Sequence, residues 1–161
     1  MLLGSVVAVD GLDRYVVAAS GNEKSSVGSF VEVASSQKIV GIIVGYTNTI
    51  KEELIPYMHR QMREKYLPYN LELERSYYDV LGVGTTAVKG VSIPPCIGDE
   101  VHILPNEQVQ RFHKAHGAYY LTQKKESIGR DVALLIVERL EMAMPERQRA
   151  LELIKRHIRS W

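Results

Sequence analysis

Short apolar runs dominate the first 50 residues, and most of them alternate with polar or small residues. In the clearest case, Phe30 and Glu32 share one side of an extended chain while Val31 and Val33 share the other. The alternation predicts a strand at 27–34, and the valine-rich segments 3–10 and 14–20 and the apolar run 38–47 predict three more. Closely spaced strands with short connections are typical of a small barrel or sandwich rather than of β-α-β units.

Gly41 and Gly45 interrupt the fourth predicted strand. A glycine inside a strand usually marks a bend, a bulge or a close approach of two backbones. We therefore expect the fourth strand to be irregular at these two positions.

After residue 48 the apolar period changes from two to three or four. Thr49 and Glu52 fit a capping box, and Pro68 is a stop signal for a helix. We predict a helical insertion at about 49–67, and for 71–78 the pattern favours neither helix nor strand. The apolar face of the helical insertion would consist of Leu54, Ile55, Met58, Met62 and Tyr66.

Strand patterns return at 79–90 and 100–104, and Asn106 is a suitable N-cap for a short helix at 106–115. The predicted fold class is mainly β with α additions: a small closed β-barrel, a helical insertion and a C-terminal helical hairpin. The predicted division is a barrel unit at 1–122 and the hairpin at 123–161.

The predicted hairpin consists of two amphipathic helices. Ser127 would cap the first, which runs to about 144, and Pro145 suits the first turn of the second. The apolar stripe of the first helix would be Val132, Leu135, Ile136, Leu140 and Ala143. The stripe of the second would be Leu151, Ile154, Ile158 and Trp161. Two interpretations stay open for these stripes, packing on the barrel or binding a partner.

Charge differs between the two predicted units. The whole chain has a formal net charge of +1, but residues 1–123 carry 11 − 13 = −2 and the remaining 38 carry 9 − 6 = +3. The near-neutral total argues against a strongly basic nucleic-acid binder. Three arginines of the tail, Arg149, Arg156 and Arg159, are weak candidates for phosphate contacts.

Composition excludes several other classes. The single cysteine excludes an internal disulfide framework and a cysteine-based zinc site. No apolar run reaches the roughly 18 residues of a membrane span, and no basic segment precedes an apolar stretch at the N-terminus. We therefore expect a cytoplasmic protein without membrane contact.

Candidate chemistry is sparse. Gly82–Gly90 lacks the order of residues in a phosphate loop. His102, His113 and His116, with Asp99 or Glu107, could be ligands of a metal, although solvated histidines are the favoured interpretation. Cys96 is interpreted as a small buried hydrophobic residue, and the carboxylates Glu72, Glu74 and Asp79 as a solvated face. We predict no catalytic residues, no cofactor and no metal.

Four segments of the predicted barrel resemble a known family. They are LGSVV at 3–7, VGSFVEV at 27–33, KIVGIIV at 38–44 and IPPCIGDEV at 93–101. These segments resemble the HAS barrel. The first two carry its G-x-V and G-x-[FY]-V-x-V patterns, and the last resembles its PP-x-x-G-x-x-V passage. This barrel forms the N-terminus of HerA-type translocases and of ATP synthase catalytic subunits.

The resemblance covers roughly residues 1–122 and implies a role in subunit assembly and partner docking. The motor with its phosphate loop has no counterpart in this sequence, so ATP-driven translocation and catalytic residues do not carry over. The predicted function is a non-enzymatic assembly or adaptor module that binds a second copy of itself, a HerA-type ATPase or its NurA-type nuclease in DNA processing. The expected contact surfaces are free barrel edges and the stripe of the second tail helix, with Trp161 as its main anchor.

Two alternatives come from other classes. The first is a small nucleic-acid-binding barrel, for which the 9 tyrosines would provide stacking surfaces. The second is a metal-dependent hydrolase whose site would be built from the histidines and acids named above.

Overall fold

The computed structural model describes residues 1–21, 24–50 and 74–161, and the strands between residues 2 and 103 form a closed antiparallel β-barrel. The six strands are β1 (Leu2–Asp10), β2 (Arg14–Ala19), β3 (Phe30–Val33), β4 (Ile39–Ile50), β5 (Glu74–Thr85) and β6 (Glu100–Ile103). Their order around the barrel is β1-β2-β5-β4-β3-β6, and β6 closes it by pairing with both β1 and β3. The predicted fold class, a small closed barrel with helical additions, is confirmed.

Closure gives every strand of the barrel two neighbours. The expectation of free barrel edges that invite strand addition is therefore wrong for the closed part of the barrel. Beyond it, residues 45–50 of β4 pair only with β5, and residues 74–76 of β5 pair only with β4, among the described residues. A closed barrel pairs the backbone groups that an open sheet would present to another chain.

The helices follow the barrel in sequence. They are α1 (Asn106–His116), α2 (Tyr120–Gln123), α3 (Lys125–Ile128), α4 (Arg130–Ala143), a 3-10 turn (Pro145–Arg147) and α5 (Gln148–Arg159). α4 and α5 pack against each other as the predicted hairpin. The predicted boundary between residues 122 and 123 falls inside α2.

Two apolar clusters result from the alternation of side chains along the strands. The inner cluster fills the barrel with one set of alternating residues, such as Ile39 and Ile43 of β4. The outer cluster lies between the outside of the barrel and the helices, and β4 contributes Val40 and Ile42 to it. One side of the barrel thus forms a common core with α1, α2, α4 and α5.

The long hairpin of β4 and β5 departs from the prediction. β4 continues through Thr49 and Ile50, which pair with Arg75 and Glu74, so Thr49 does not cap a helix. The rest of the predicted insertion, and positions 71–73 of the ambiguous segment, lie outside the described residues. From Glu74 onward that segment is a strand, held by side-chain hydrogen bonds such as Asn48 Nδ2 to Glu74 Oε2 at 3.1 Å.

β5 also ends earlier than predicted, at Thr85. The Thr85 hydroxyl accepts hydrogen bonds from the backbone N–H groups of Ala87 and Val88, which turns the chain. The irregularity expected in β4 is present, since its register to β5 shifts at Val40/Gly41 and again at Ile43/Gly45.

The helix starts differ from the predictions by a few residues. Asn106 is the first residue of α1 and Pro105 occupies the cap position. α4 begins at Arg130, and Ser127 belongs to the preceding turn α3. Gly129 separates the two with φ 78° and ψ 159°, a conformation that is essentially restricted to glycine.

The buried side of α4 follows the predicted stripe except at Leu135. Ile136, Leu140 and Ala143 of the stripe are buried, as are Ala133 and Val137, whereas Leu135 is 42% exposed. Leu135 therefore lies outside the buried side, although the sequence placed it in the stripe. The side chain of Gln110 in α1 donates a hydrogen bond to the carbonyl of Ala143, which ties the end of α4 to α1.

Candidate functional site

The apolar stripe of the second tail helix packs against its own chain. Leu151 and Ile158 are buried in the outer cluster, while Ile154 and Trp161 are partly buried and pack against its edge. Of the two interpretations left open by the sequence, packing on the barrel unit describes this helix. Only Ile154 and Trp161 among the four candidate interaction residues retain surface available to a partner.

Ile154 and Trp161 line an apolar groove of about 400 Å³ between α5 and the segment around α2. We call it the tail groove. Its lining consists of Ala118, Tyr119, Leu121, Thr122, Leu153, Ile154, His157, Ile158 and Trp161.

The α2 side of the tail groove is fixed to the barrel by hydrogen bonds. The Tyr119 hydroxyl accepts a hydrogen bond from the Gly90 N–H at 2.8 Å and donates one to the Val83 carbonyl at the end of β5. Burial raises the pKa of Tyr119 above its usual value, against the opposing effect of the Gly90 hydrogen bond. The phenol thus stays protonated and can hold both contacts.

The α5 side of the tail groove ends in the aromatic ring of Trp161. The Lys125 ammonium lies 4.9 Å from the centre of this ring, within the range of a cation–π contact. The ring is thereby fixed between α3 and α5, where it faces the groove with part of its surface exposed.

Leu153 lines the tail groove, although the helical periodicity of the sequence did not indicate it. It is 65% exposed at the rim of the tail groove. The sequence does mark Leu153 as unusual, because it is an apolar residue on the polar side of an amphipathic helix. Helical periodicity alone assigns such a residue to no stripe.

The three candidate phosphate-binding arginines are exposed on α5. Arg149 and Arg156 lie four residues before and three after Leu153, which places all three on one helix face. Arg159 lies three residues after Arg156 and is therefore its neighbour on the helix surface.

The residues considered as possible metal ligands are dispersed. His102 pairs with Glu100 at 3.1 Å on β6, and His116 Nε2 lies 3.4 Å from the Thr86 carbonyl. Asp99 accepts the Cys96 backbone N–H at 2.8 Å, and Glu107 is exposed in the first turn of α1. Within residues 1–21, 24–50 and 74–161, no three His, Cys, Asp or Glu side chains form a group that could hold a metal ion.

His113 lies in the outer cluster with 2% of its surface exposed. Its Nδ1 is 2.7 Å from the Val109 carbonyl, which can only accept, so Nδ1 carries the proton. Nε2 then accepts from the Tyr120 hydroxyl, also at 2.7 Å. Burial lowers the pKa of His113 to about 4, with smaller lowering effects from Arg147 and His116. The neutral ring is a structural link between α1 and α2.

Cys96 is exposed, contrary to its interpretation as a buried hydrophobic residue. The neighbouring Pro95 is buried in its place. The two prolines orient this turn so that the thiol faces outward and the second proline ring faces inward.

Of the three carboxylates interpreted as a solvated face, Glu74 and Asp79 lie in separate environments. Glu74 accepts the Asn48 hydrogen bond on the β4–β5 hairpin, and Glu72 lies outside the described residues. Asp79 is exposed beside a cleft of about 440 Å³, which is also lined by Asp10, Arg14 and Glu126. Arg14 donates to the Ser127 hydroxyl at 3.0 Å across this cleft.

Comparison of the chain with protein-family models gave no match, and comparison with curated proteins gave no significant match. Among the helices that the structure describes, none combines the length and apolarity needed to cross a membrane.

Proposed function

We propose that this chain is a non-enzymatic assembly module that docks a protein partner in the tail groove. The partner class is the one implied by the HAS-barrel resemblance: a HerA-type ATPase or the nuclease that works with it in DNA processing. The proposed occupant of the groove is an apolar side chain or short apolar segment of that partner.

The observation that carries the proposal is the tail groove itself. A concave apolar surface with a highly exposed leucine at its rim and an aromatic ring at its end costs free energy while it faces water. Aromatic rings in partly closed pockets are also the residues that most often dominate the energy of protein interfaces.

The rigidity of the groove supports the same proposal. Tyr119 is fixed to Val83 and Gly90, and Ile158 on the opposite side is fully buried. A preformed surface loses less conformational entropy on binding than a flexible one. The groove can therefore receive a partner without rearrangement of its walls.

The test uses a fluorine-labelled tryptophan, because Trp161 is the single tryptophan of the chain. The labelled protein is titrated separately with the purified HerA-type ATPase and the purified nuclease of the same organism, and the fluorine NMR signal of Trp161 is followed. We expect one of the two partners to bind and to shift this signal.

A matched pair of variants locates the contact. Thr122 is exposed and lines the groove, so Thr122→Arg should weaken binding about tenfold or more by filling it. Gln123 is the next exposed residue but does not line the groove, so Gln123→Arg should bind like the unmodified chain. Absence of binding to both partners, or equal binding by both variants, would contradict the proposal.

A further inference from the structure

Both helices of the C-terminal hairpin carry exposed apolar side chains on the faces that point away from the core. On α4 these are Leu135 and Met142, which are 42% and 66% exposed, and on α5 it is Leu153. We define the α4 outer stripe as Asp131, Leu135, Glu138 and Met142. The α5 outer stripe is Arg149, Leu153, Arg156 and Ser160, and all eight residues are exposed.

The two outer stripes have the same spacing. In each, the successive residues are separated by four, three and four positions, so each follows one face of a helix for three turns. Leucine stands second in both. Placing Leu135 against Leu153 brings each charged residue of one stripe opposite a charged residue of the other, whether the helices run parallel or antiparallel.

The charges of the two stripes are opposite. The α4 outer stripe holds two carboxylates, Asp131 and Glu138, and the α5 outer stripe holds two guanidinium groups, Arg149 and Arg156. An α4 stripe laid on an α5 stripe therefore places Leu135 against Leu153 and acid against base. Two α4 stripes, or two α5 stripes, would instead place like charges together.

We propose that a second copy of this chain covers these stripes, with α4 of each copy docked on α5 of the other. A two-fold symmetric pair makes this contact twice: α4 of the first copy meets α5 of the second, and α5 of the first copy meets α4 of the second. The inference rests on the proposed assembly function and names another copy as a partner. Leu153 belongs both to the α5 outer stripe and to the rim of the tail groove, so the dimer contact covers that rim. The test varies only charged residues of the stripes, none of which lines the groove.

The experiment measures molecular mass in solution by light scattering over a range of concentrations. The unmodified chain should reach twice the 18.2 kDa mass of one chain. One variant, Asp131→Lys with Glu138→Lys, makes both of its stripes basic. The other, Arg149→Glu with Arg156→Glu, makes both of its stripes acidic. Each variant alone should stay monomeric.

Mixing the two variants is the decisive step. In the mixed pair every basic stripe faces an acidic one, so the mixture should recover dimers that contain one copy of each variant. Loss of folding cannot imitate this recovery, and thermal melting of each variant checks its folded state. If the variant with Lys at 131 is too unstable, because an acid in the first turn stabilises α4, Glu138→Lys is used alone. It is mixed with Arg156→Glu, which restores the contact in a parallel docking, and separately with Arg149→Glu, which restores it in an antiparallel docking.

Glu107→Lys is the charge control, since Glu107 is exposed on α1 outside both stripes and its reversal should leave the dimer intact. A monomeric unmodified chain at every concentration, or a mixture that stays monomeric, would overturn the inference. Thr122→Arg should keep the dimer while losing the groove partner. The failure of one proposal is thus distinguishable from the failure of the other.

Discussion

His113 shows how a single polar side chain is accommodated in an apolar core. Both of its ring nitrogens have a partner, Val109 on its own helix and Tyr120 on the next. A buried polar group with a full set of hydrogen bonds costs little, whereas one missing partner costs about 1–3 kcal/mol. The residue that the sequence offered as a possible metal ligand is therefore part of the packing.

The burial of neutral His113 predicts a loss of stability in acid. Its pKa is about 4 in the folded chain and 6.5 in the unfolded chain, so the unfolded state takes up the proton first as the pH falls. The full stabilisation is present above pH 6.5 and decreases toward pH 4. Between pH 7 and pH 4.5 the free energy of unfolding should fall by about 2 to 3 kcal/mol from this residue, as measured by urea unfolding.

The control for this prediction is a second histidine at the end of the same helix. His113→Gln should be less stable than the unmodified chain at pH 7 but should lack this part of the acid loss. His116→Gln should retain it, because His116 is partly exposed. An equal pH dependence of the unmodified chain and His113→Gln would contradict the assignment.

At the scale of secondary-structure elements, the strands were predictable because their alternation is local. The pattern at Phe30–Val33 and the glycines at 41 and 45 predicted β3 and the irregular β4. The start of β5 was not predictable, because Glu74 and Ser76 are polar and become strand residues only through pairing with β4. Pairing between distant segments leaves no local signal in a polar strand.

The candidate site was less predictable than the barrel. The stripe of α5 was identified correctly, but which of its residues remain at the surface depends on what α5 packs against. Leu135 was assigned to the apolar stripe of the first tail helix, and Leu153 was assigned to no surface at all. Both assignments require the rotation of each helix relative to its neighbours, which periodicity within one helix does not contain.

The start of α4 gives a prediction about one backbone position. Gly129 has φ 78° and ψ 159°, which an alanine adopts only with strain, so Gly129→Ala should lower the free energy of unfolding by about 1–3 kcal/mol. Ser127→Ala should change it far less, because Ser127 does not cap α4. Chemical unfolding of both variants measures the difference, and the opposite ranking would restore Ser127 as the cap.

At the scale of the whole molecule, the C-terminal helix belongs to the core of the barrel unit. Ile158 has no exposed surface and lies in the same cluster as Phe30, Val40 and Leu81 of the barrel wall. The barrel side that faces the helices is covered by them, and removal of α5 would expose it to water. The tail is thus part of the folded unit as well as a carrier of contact surfaces.

Substitutions of two α5 residues of similar size test whether this helix is part of the folded core. Ile158→Ala leaves a cavity in the outer cluster and should lower the free energy of unfolding by about 2–5 kcal/mol. Leu153→Ala removes an exposed side chain and should change it by less than about 0.5 kcal/mol. Denaturant unfolding of both variants gives the comparison, and a small effect of Ile158→Ala would show that α5 is dispensable for the fold.

The closing strand of the barrel has a consequence for how the chain is made. Leu2 pairs with His102, which is 102 − 2 = 100 positions later, and β6 also completes the pairing of β3. During synthesis, β1 and β2 leave the ribosome together and can pair at once, but the second partner of β1 arrives only after most of the chain. Closing so long a loop is entropically costly and slow. The nascent chain therefore carries an open sheet for much of its synthesis, and in that interval it most needs protection from aggregation.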